Sequence, residues 1–334
     1  MKSETCREAF SEKILEEAKK DKSVIVVCTD SRGSASLGKY PQELPNQFVE
    51  LGIAEQNAVT VSAGMASIGK KVFTVGPASF YSTRAAEQVK VDVAYSRNNV
   101  KIVGISGGIS YGALGATHHS LQDIALMRAI PGLIVEIPSD AVQMRKIVDV
   151  MVETEEPAYI RIGRGAVPVL YEEDVQIMVG KSICWGDGTD AAVIACGQMV
   201  WRALEAAELL KREGISVRVY DMHTIKPMDK EAVLEAAEEC GCILTVEEHS
   251  LHGGMGGAVA EIICRNCPIP LEILAVPDED IPNGTDEEVF RYYHMDPEGI
   301  ADGIRELHKR KNQKYILQEG GRNERKDESL CTNR

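Results

Sequence analysis

Short apolar runs alternate along this chain with longer stretches whose apolar positions recur every three to four residues. SVIVVCTD, KVFTVGP, KIVGISG, LIVEIP and PAYIRIG have strand length and are apolar almost throughout. Between them lie four segments with helical spacing: AEQNAVTVSAGMASIG, closed by Gly69; FYSTRAAEQVKVDVAYSRN; LQDIALMRAI, stopped by Pro131 and Gly132; and SDAVQMRKIVDVMVE, with Ser139 as its expected cap. Strands that are continuously apolar, rather than alternating, are covered on both faces, which is the mark of a parallel sheet between helices. A second alternation begins with AAVIACG and continues through MVWRALEAAELLKREG, ISVRVYD, DKEAVLEAAEECG, CILTVEE, MGGAVAEIICRN and LEILAVP. The expected fold is α/β, with two domains, each a mostly parallel twisted sheet with helices on both faces. The expected boundaries are 1–165 and 189–308, joined by a linker over 166–188. The stretch 309–334 is charged and aperiodic and reads as a flexible polar tail.

Composition narrows the function only by exclusion. The 334 residues carry a net charge of −14, so nucleic acid and anionic membrane surfaces are poor partners. The opening MKSETCREAFSEKILEEAKK is polar and amphipathic rather than a secretory leader, and no stretch reaches the roughly 18 apolar residues of a membrane helix. The expected location is the cytoplasm, where the nine cysteines are ordinary thiols. Cys240/Cys242 and Cys264/Cys267 sit at helix ends rather than in knuckle-like turns, so no zinc site is expected there.

In open α/β sheets, ligands bind beyond the carboxyl ends of the strands. In the first domain those ends gather Asp30, Ser34, Tyr81, Arg84, His118, His119 and Arg164. LGIAEQNAVTVSAGMA adds an anomaly, because Glu55 opens a helix that is otherwise bound for the core. A buried carboxylate without a partner either costs several kcal/mol or keeps its proton. Two glycine signals carry less. GGMGGA (Gly253 to Ala258) lacks the G-x-G-x-x-G spacing and reads as helix-entry packing. GDG (Gly186 to Gly188) precedes a strand and has no Asn until Asn266, so it does not fit a thiamine-diphosphate metal motif.

ELGIAEQNAVTVSAGMASIG, FYSTRAAEQV, GATHHSLQDIALMRAIPGLIVEIPSD and YIRIGRG resemble, in order and spacing, the pyrimidine-binding domain of transketolases. DMHTIKPMD and EEHSLHGGMGGAVAE resemble the transketolase C-terminal domain, so the likeness spans roughly Ser23 to Leu307. Nothing in the chain resembles the separate domain that holds magnesium and the diphosphate. The resemblance therefore implies the C-terminal subunit of a split transketolase, a transferase of two-carbon ketol units between sugar phosphates. Thiamine diphosphate would be shared with an N-terminal partner subunit that holds the magnesium, this chain would ligate no metal, and the assembly would be of α2β2 type.

The resemblance also assigns roles. Glu55 would hydrogen-bond the aminopyrimidine ring, with burial raising its pKa against the opposing helix dipole. Tyr81 would stack on the pyrimidine, while its neighbour Phe80 reads as packing. Arg84 falls near the site. His118 would line the substrate channel and hydrogen-bond the reacting sugar oxygens, with His119 beside it. Arg164 would bind the sugar phosphate through its planar fork, Ser34 would contact the same phosphate, and Asp30 would lie near the thiazolium across the subunit interface.

One position departs from the family. Four residues before the channel histidine, relatives usually carry an aspartate that accepts a bond from the hydroxyl beside the reacting carbonyl; here Leu114 stands there. Leucine accepts no hydrogen bond, so a hydroxyl aimed at it loses about 1–3 kcal/mol. The expected substrate is thus a modified, branched or deoxy ketose phosphate rather than the ordinary pentose pair. Rival readings are the beta subunit of a 2-oxo acid dehydrogenase or a deoxyxylulose-phosphate synthase-like enzyme, which also carry IAEQ, and a non-catalytic regulatory paralogue.

Overall fold

The computed structural model describes residues 2–311. The strand Val24–Cys28 is buried at all five positions, as its unbroken Val-Ile-Val-Val run predicts. It lies in a seven-stranded sheet whose order in space is Thr224–Lys226, Ile134–Glu136, Ala158–Ile162, Val100–Ile105, Lys71–Pro77, Val24–Cys28 and Phe48–Glu50. Every neighbouring pair is parallel except the edge pair formed by Thr224–Lys226 and Ile134–Glu136. The second sheet orders Leu271–Val276, Ile243–Ser250, Ala191–Ala195, Val217–Asp221 and the antiparallel edge Ile183–Trp185. The protein is therefore built from two α/β layers of mostly parallel sheet flanked by helices.

The edge strand Thr224–Lys226 crosses over from the second domain to extend the first sheet. Its anchor is buried and polar. Thr224 Oγ1 donates to Glu136 Oε1 at 2.8 Å, and His223 Nδ1 meets Glu136 Oε2 at 3.0 Å. One apolar cluster also runs through both domains, joining Ile137 and Tyr159 to Ile194, Met222 and Ile225. Apolar area shared in this way makes the pair of domains one body rather than two beads on a string.

The expected linker is partly structured. Ala166–Pro168 pairs antiparallel with Ser3–Thr5, and Ile183–Trp185 pairs with Val217–Asp221. Strands of three residues are too short to show a period in the sequence. Asp140, not Ser139, caps the helix Ala141–Glu153: its side chain accepts from the Gln143 amide at 2.7 Å, while Ser139 is buried and donates to Asp221 Oδ2. The helix expected over FYSTRAAEQVKVDVAYSRN is three pieces, Ala78–Thr83, Ala86–Gln88 and a π-helical Val89–Tyr95. A helix over 297–311 runs three residues into the expected tail; residues 312–334 lie outside the described part. Among the described residues, no helix is long and apolar enough to cross a membrane.

Candidate active site

The helix Glu55–Ser67 begins where the chain leaves the edge strand Phe48–Glu50, and Ala54 at its N-cap offers no side-chain bond to the first turn. Glu55 is buried, at 4 % exposure. Among the described residues its side-chain partner is Arg84, whose Nη1 donates to the two carboxylate oxygens at 3.4 and 3.3 Å, long contacts from a side chain that is half exposed. Arg84 is carried by the short helix Ala78–Thr83, which it closes, and its guanidinium lies 3.9 Å above the Phe80 ring.

From Phe80 the contacts continue across the sheet. The Phe80 ring meets His118 edge-on at 5.4 Å between centroids, and His118 meets Tyr111 in the same way at 5.4 Å. Arg164 sits over the Tyr111 ring at 5.0 Å. Glu55, Arg84, Phe80, His118, Tyr111 and Arg164 thus form one continuous line along the carboxyl ends of four strands. His118 Nδ1 is engaged by Thr117 Oγ1 at 2.9 Å. Beside it His119 is buried and neither ring nitrogen makes a well-formed hydrogen bond among the described residues. Burial lowers its pKa, the Gly112 backbone opposes that, and the neighbouring His118 adds a smaller lowering.

Arg164 keeps one guanidinium nitrogen, Nη1, buried and unpartnered among the described residues. Arg7 joins it there. This residue lies in the first turn of the helix Cys6–Lys20 and donates from Nη1 to the Ser34 carbonyl at 2.8 Å. Burial and the nearby Arg164 charge lower the Arg7 pKa. Two guanidinium groups held near each other, with donors left over, are a place for an anion. Ser34, Arg164, Tyr111, Leu114 and, from the second domain, Arg202 and Asp286 line a cleft of about 980 Å³.

The loop that carries the histidines is held from beneath. Gly108 and Ser120 exchange backbone hydrogen bonds at its base. Glu248, buried on the second sheet, accepts from the Ile109 amide at 2.8 Å and from Gln198 Nε2 at 2.8 Å. Gly108, at φ +65°, admits that carboxylate because a Cβ there would lie 2.2 Å from the Glu248 carboxyl carbon. Arg161, fully enclosed, donates to the Glu248 carbonyl at 2.7 Å and to Asp123 at 3.0 Å.

Two expected residues stand elsewhere. Tyr81 is fully buried: Gly76 leaves it room, since a Cβ there would sit 2.5 Å from its ring, and its hydroxyl bonds Thr74 Oγ1 at 2.9 Å. No face of that ring is open for stacking, and burial raises its pKa. Phe80, read from the sequence as packing, is the half-buried ring in the line. Helix Ala78–Thr83 turns one of two adjacent aromatics inward, and sequence alone gives no sign which. Asp30 is exposed, at φ 55°, and joins none of these contacts; its amide donates to Glu50 at 2.7 Å. Leu114 is on the cleft wall and 54 % exposed. Arg7, Tyr111, Arg202 and Asp286 were not legible as site residues, although an aromatic within the glycine-rich GISYGALG is itself a signal.

A buried carboxyl group, joined through Arg84 to an aromatic ring, at one end of the line fits an aminopyrimidine, and the paired guanidiniums fit a phosphate at the other. Among the described residues, no group of His, Cys, Asp or Glu is arranged to hold a metal ion.

Comparison with known proteins gives the family. Residues 2–169 match the transketolase pyrimidine-binding domain, and residues 180–300 match the transketolase C-terminal domain. One of the subunits of the apulose-4-phosphate transketolase of Phocaeicola vulgatus is 53 % identical over 297 residues, covering 89 % of this chain and 95 % of that protein. The 6-deoxy-6-sulfo-D-fructose transketolase subunit SqwH of a Clostridium species is 35 % identical, covering 92 % and 95 %. The solved structure of a split-gene transketolase, described as an inactive beta4 tetramer, superposes with a TM-score of 0.85 at 34 % identity, covering 91 % of this chain and 98 % of that one. 1-Deoxy-D-xylulose-5-phosphate synthase of Halothermothrix orenii is 34 % identical, but the chain spans only 48 % of its length. The chain belongs to the transketolase family, as a polypeptide that joins the pyrimidine-binding and C-terminal domains and matches a split-gene subunit.

Proposed function

We propose that this chain, paired with an N-terminal partner subunit in an α2β2-type assembly, transfers a two-carbon ketol unit from a branched ketose phosphate to an aldose phosphate. The observation that carries the reading is the unbroken line from Glu55 to Arg164, with a carboxyl-aromatic end for a cofactor and a guanidinium end for a phosphate. The branched substrate rests on Leu114 in the cleft wall and on the 53 % identical relative that bears the name of apulose 4-phosphate.

Thiamine diphosphate, held with magnesium mainly by the partner, would supply a nucleophilic thiazolium carbon. Glu55 would hold the aminopyrimidine through its ring nitrogen and share a proton there, in surroundings that exclude water. Arg84 keeps that carboxylate from standing as an unpaired buried charge. Phe80 bounds the same space, and Tyr81 fixes its helix from below. His118 has Nδ1 engaged by Thr117, which leaves Nε2 to hydrogen-bond a reacting sugar oxygen. His119, kept toward its neutral form by burial, would donate to or accept from a second oxygen. Arg164, with Arg7 and Ser34, would orient the phosphate. Asp30, at the exposed end of its strand, would meet the cofactor only from a neighbouring subunit.

The test is to purify the chain alone and with its partner, add thiamine diphosphate and magnesium, and scan ketose donors: the phosphorylated apulose 4-phosphate and xylulose 5-phosphate, and an unphosphorylated, sulfonated ketose. Turnover is expected only with the partner, and fastest with the branched donor. Robust turnover by the isolated chain would remove the partner from the reading; preference for xylulose 5-phosphate would remove the branched substrate. The relative described as an inactive beta4 tetramer supports the first expectation.

A further inference from the structure

The second domain closes over the histidine loop at a point far from Glu248. The Gly284 carbonyl oxygen lies 2.5 Å, and Asp286 Oδ1 3.8 Å, from where a Cβ at Gly112 would stand. Gly115, at φ +71°, has Asn283 Oδ1 3.0 Å from its own Cβ position. Leu114 lies between these two glycines. The approach of Asn283 to Asp286 is fixed by a capping box: the Thr285 amide donates to Glu288 Oε2 at 2.8 Å, and the Glu288 amide donates to Thr285 Oγ1 at 3.3 Å.

The acidic side chains of this short stretch are not equivalent. Glu288 is occupied by the capping box, and Glu287 by Arg202. Asp286, half-buried, makes no side-chain hydrogen bond to another described residue and lines the cleft with Leu114, Arg164, Arg202 and Ser34. Burial raises its pKa, with Glu287 adding to the rise, and the charges of Arg202 and Arg164 oppose it. A half-buried carboxylate with free oxygens, beside a wall of leucine and within the field of a phosphate-binding arginine, is an acceptor for a hydroxyl near the phosphate end of a sugar.

We infer that Asp286 is the specificity-determining acceptor for a branch hydroxyl of the ketose phosphate, supplied by the second domain in place of the acidic side chain that position 114 lacks. This rests on the reading of the cleft as a sugar phosphate site. Leu114 makes the wall unfavourable for an ordinary hydroxyl, and Asp286 rewards one that is displaced by branching toward the far wall. The substrate class is a phosphorylated ketose with a hydroxymethyl branch close to the phosphate-bearing carbon.

The experiment compares kcat/KM for apulose 4-phosphate and xylulose 5-phosphate in the partner-bound enzyme, for the wild type, Asp286→Ala and Asp286→Asn. Asp286→Ala is expected to lower the ratio of branched to unbranched donor by at least about tenfold, the scale for stranding one buried hydroxyl, with the loss in KM rather than kcat. Asp286→Asn keeps an acceptor oxygen and is expected to restore most of the ratio. An unmoved ratio in Asp286→Ala, or equal loss for both donors as from a folding defect, overturns the inference while an active wild type leaves the functional reading standing. A wild type with no ketol transfer from any phosphorylated ketose overturns both.

Discussion

Glu247 and Glu55 are both buried carboxylates lying at the start of a helix, and their surroundings differ in kind. Glu247, at the end of the second sheet, is wholly enclosed; Oε2 accepts from the Met255 amide at 2.6 Å and Oε1 from the Gly256 amide at 2.7 Å. Those amides belong to the first turn of the helix Met255–Asn266, where donors lack intrahelical partners. Glu55, at the corresponding end of the first sheet, receives no backbone amide among the described residues, only the long contacts of a half-exposed Arg84. The carboxylate whose oxygens are filled from within is a strut. The one whose oxygens are underused is open to a ligand. Glu248 is filled like Glu247, with Ile109 and Gln198 donating to its two oxygens, whereas His119 and Arg164 Nη1 are buried with donors or acceptors unmet among the described residues.

Substitution at the two glutamates should separate stability from chemistry. Glu247→Ala strands two buried amides that now bond its carboxyl oxygens, at about 1.5–3 kcal/mol each, so the chain should lose about 3–6 kcal/mol of stability. Denaturant unfolding should show this as a fall in midpoint with turnover per folded molecule preserved. Glu55→Gln should do the reverse. Its melting temperature should stay close to that of the wild type, while kcat of the partner-bound enzyme falls at least about 10²-fold, as for other proton-sharing groups. A Glu55→Gln enzyme that melts much lower yet turns over normally would make Glu55 a strut as well and erase the distinction.

A smaller effect sharpens the comparison at the other end of the line. Arg164→Ala should raise KM for phosphorylated donors about 10- to 100-fold, the scale of one charge-assisted bond. It should leave KM for an unphosphorylated ketol donor nearly as it was. Equal losses for both donors would show that Arg164 supports the loop through Tyr111 instead of binding phosphate.

The sequence made the two-sheet fold legible because its central strands are unbroken apolar runs and its helices keep their period. Glu55 could be found because a carboxylate in AEQNAV interrupts an otherwise apolar face, and His118, Ser34 and Arg164 because fold logic gathers strand ends. What escaped has physical reasons. Ser3–Thr5, Ala166–Pro168 and Thr224–Lys226 are strands of three residues, too short for a pattern, and the last is recruited by a sheet from the other domain. Tyr81 and Phe80 differ by one position on a six-residue helix, so only the pocket beneath Gly76 decides which is buried. Arg7 reaches Ser34 from 27 residues away, and Asp286 reaches the histidine loop from more than 160; neither proximity has any local signature.

The smallest effect expected is a pH dependence from His119. Burial sets its pKa in the fold below the ordinary imidazole value, with the His118 charge acting in the same direction. Between that lowered value and about 6.5, the unfolded chain binds more protons than the folded one. Stability from this residue is therefore fully present above about 6.5 and is lost as the pH falls through the folded value, since ring protonation then favours unfolding. His119→Gln removes the titrating group while keeping a polar side chain of similar reach. Melting temperature measured between pH 7 and 5 should decline less steeply in His119→Gln than in the wild type. A bound sugar phosphate should flatten the wild-type decline as well, because a ligand oxygen beside the ring supplies the partner it lacks. Parallel pH profiles for the two proteins, with and without ligand, would show that His119 is already satisfied within the fold and would move it from the ligand-facing group to the struts.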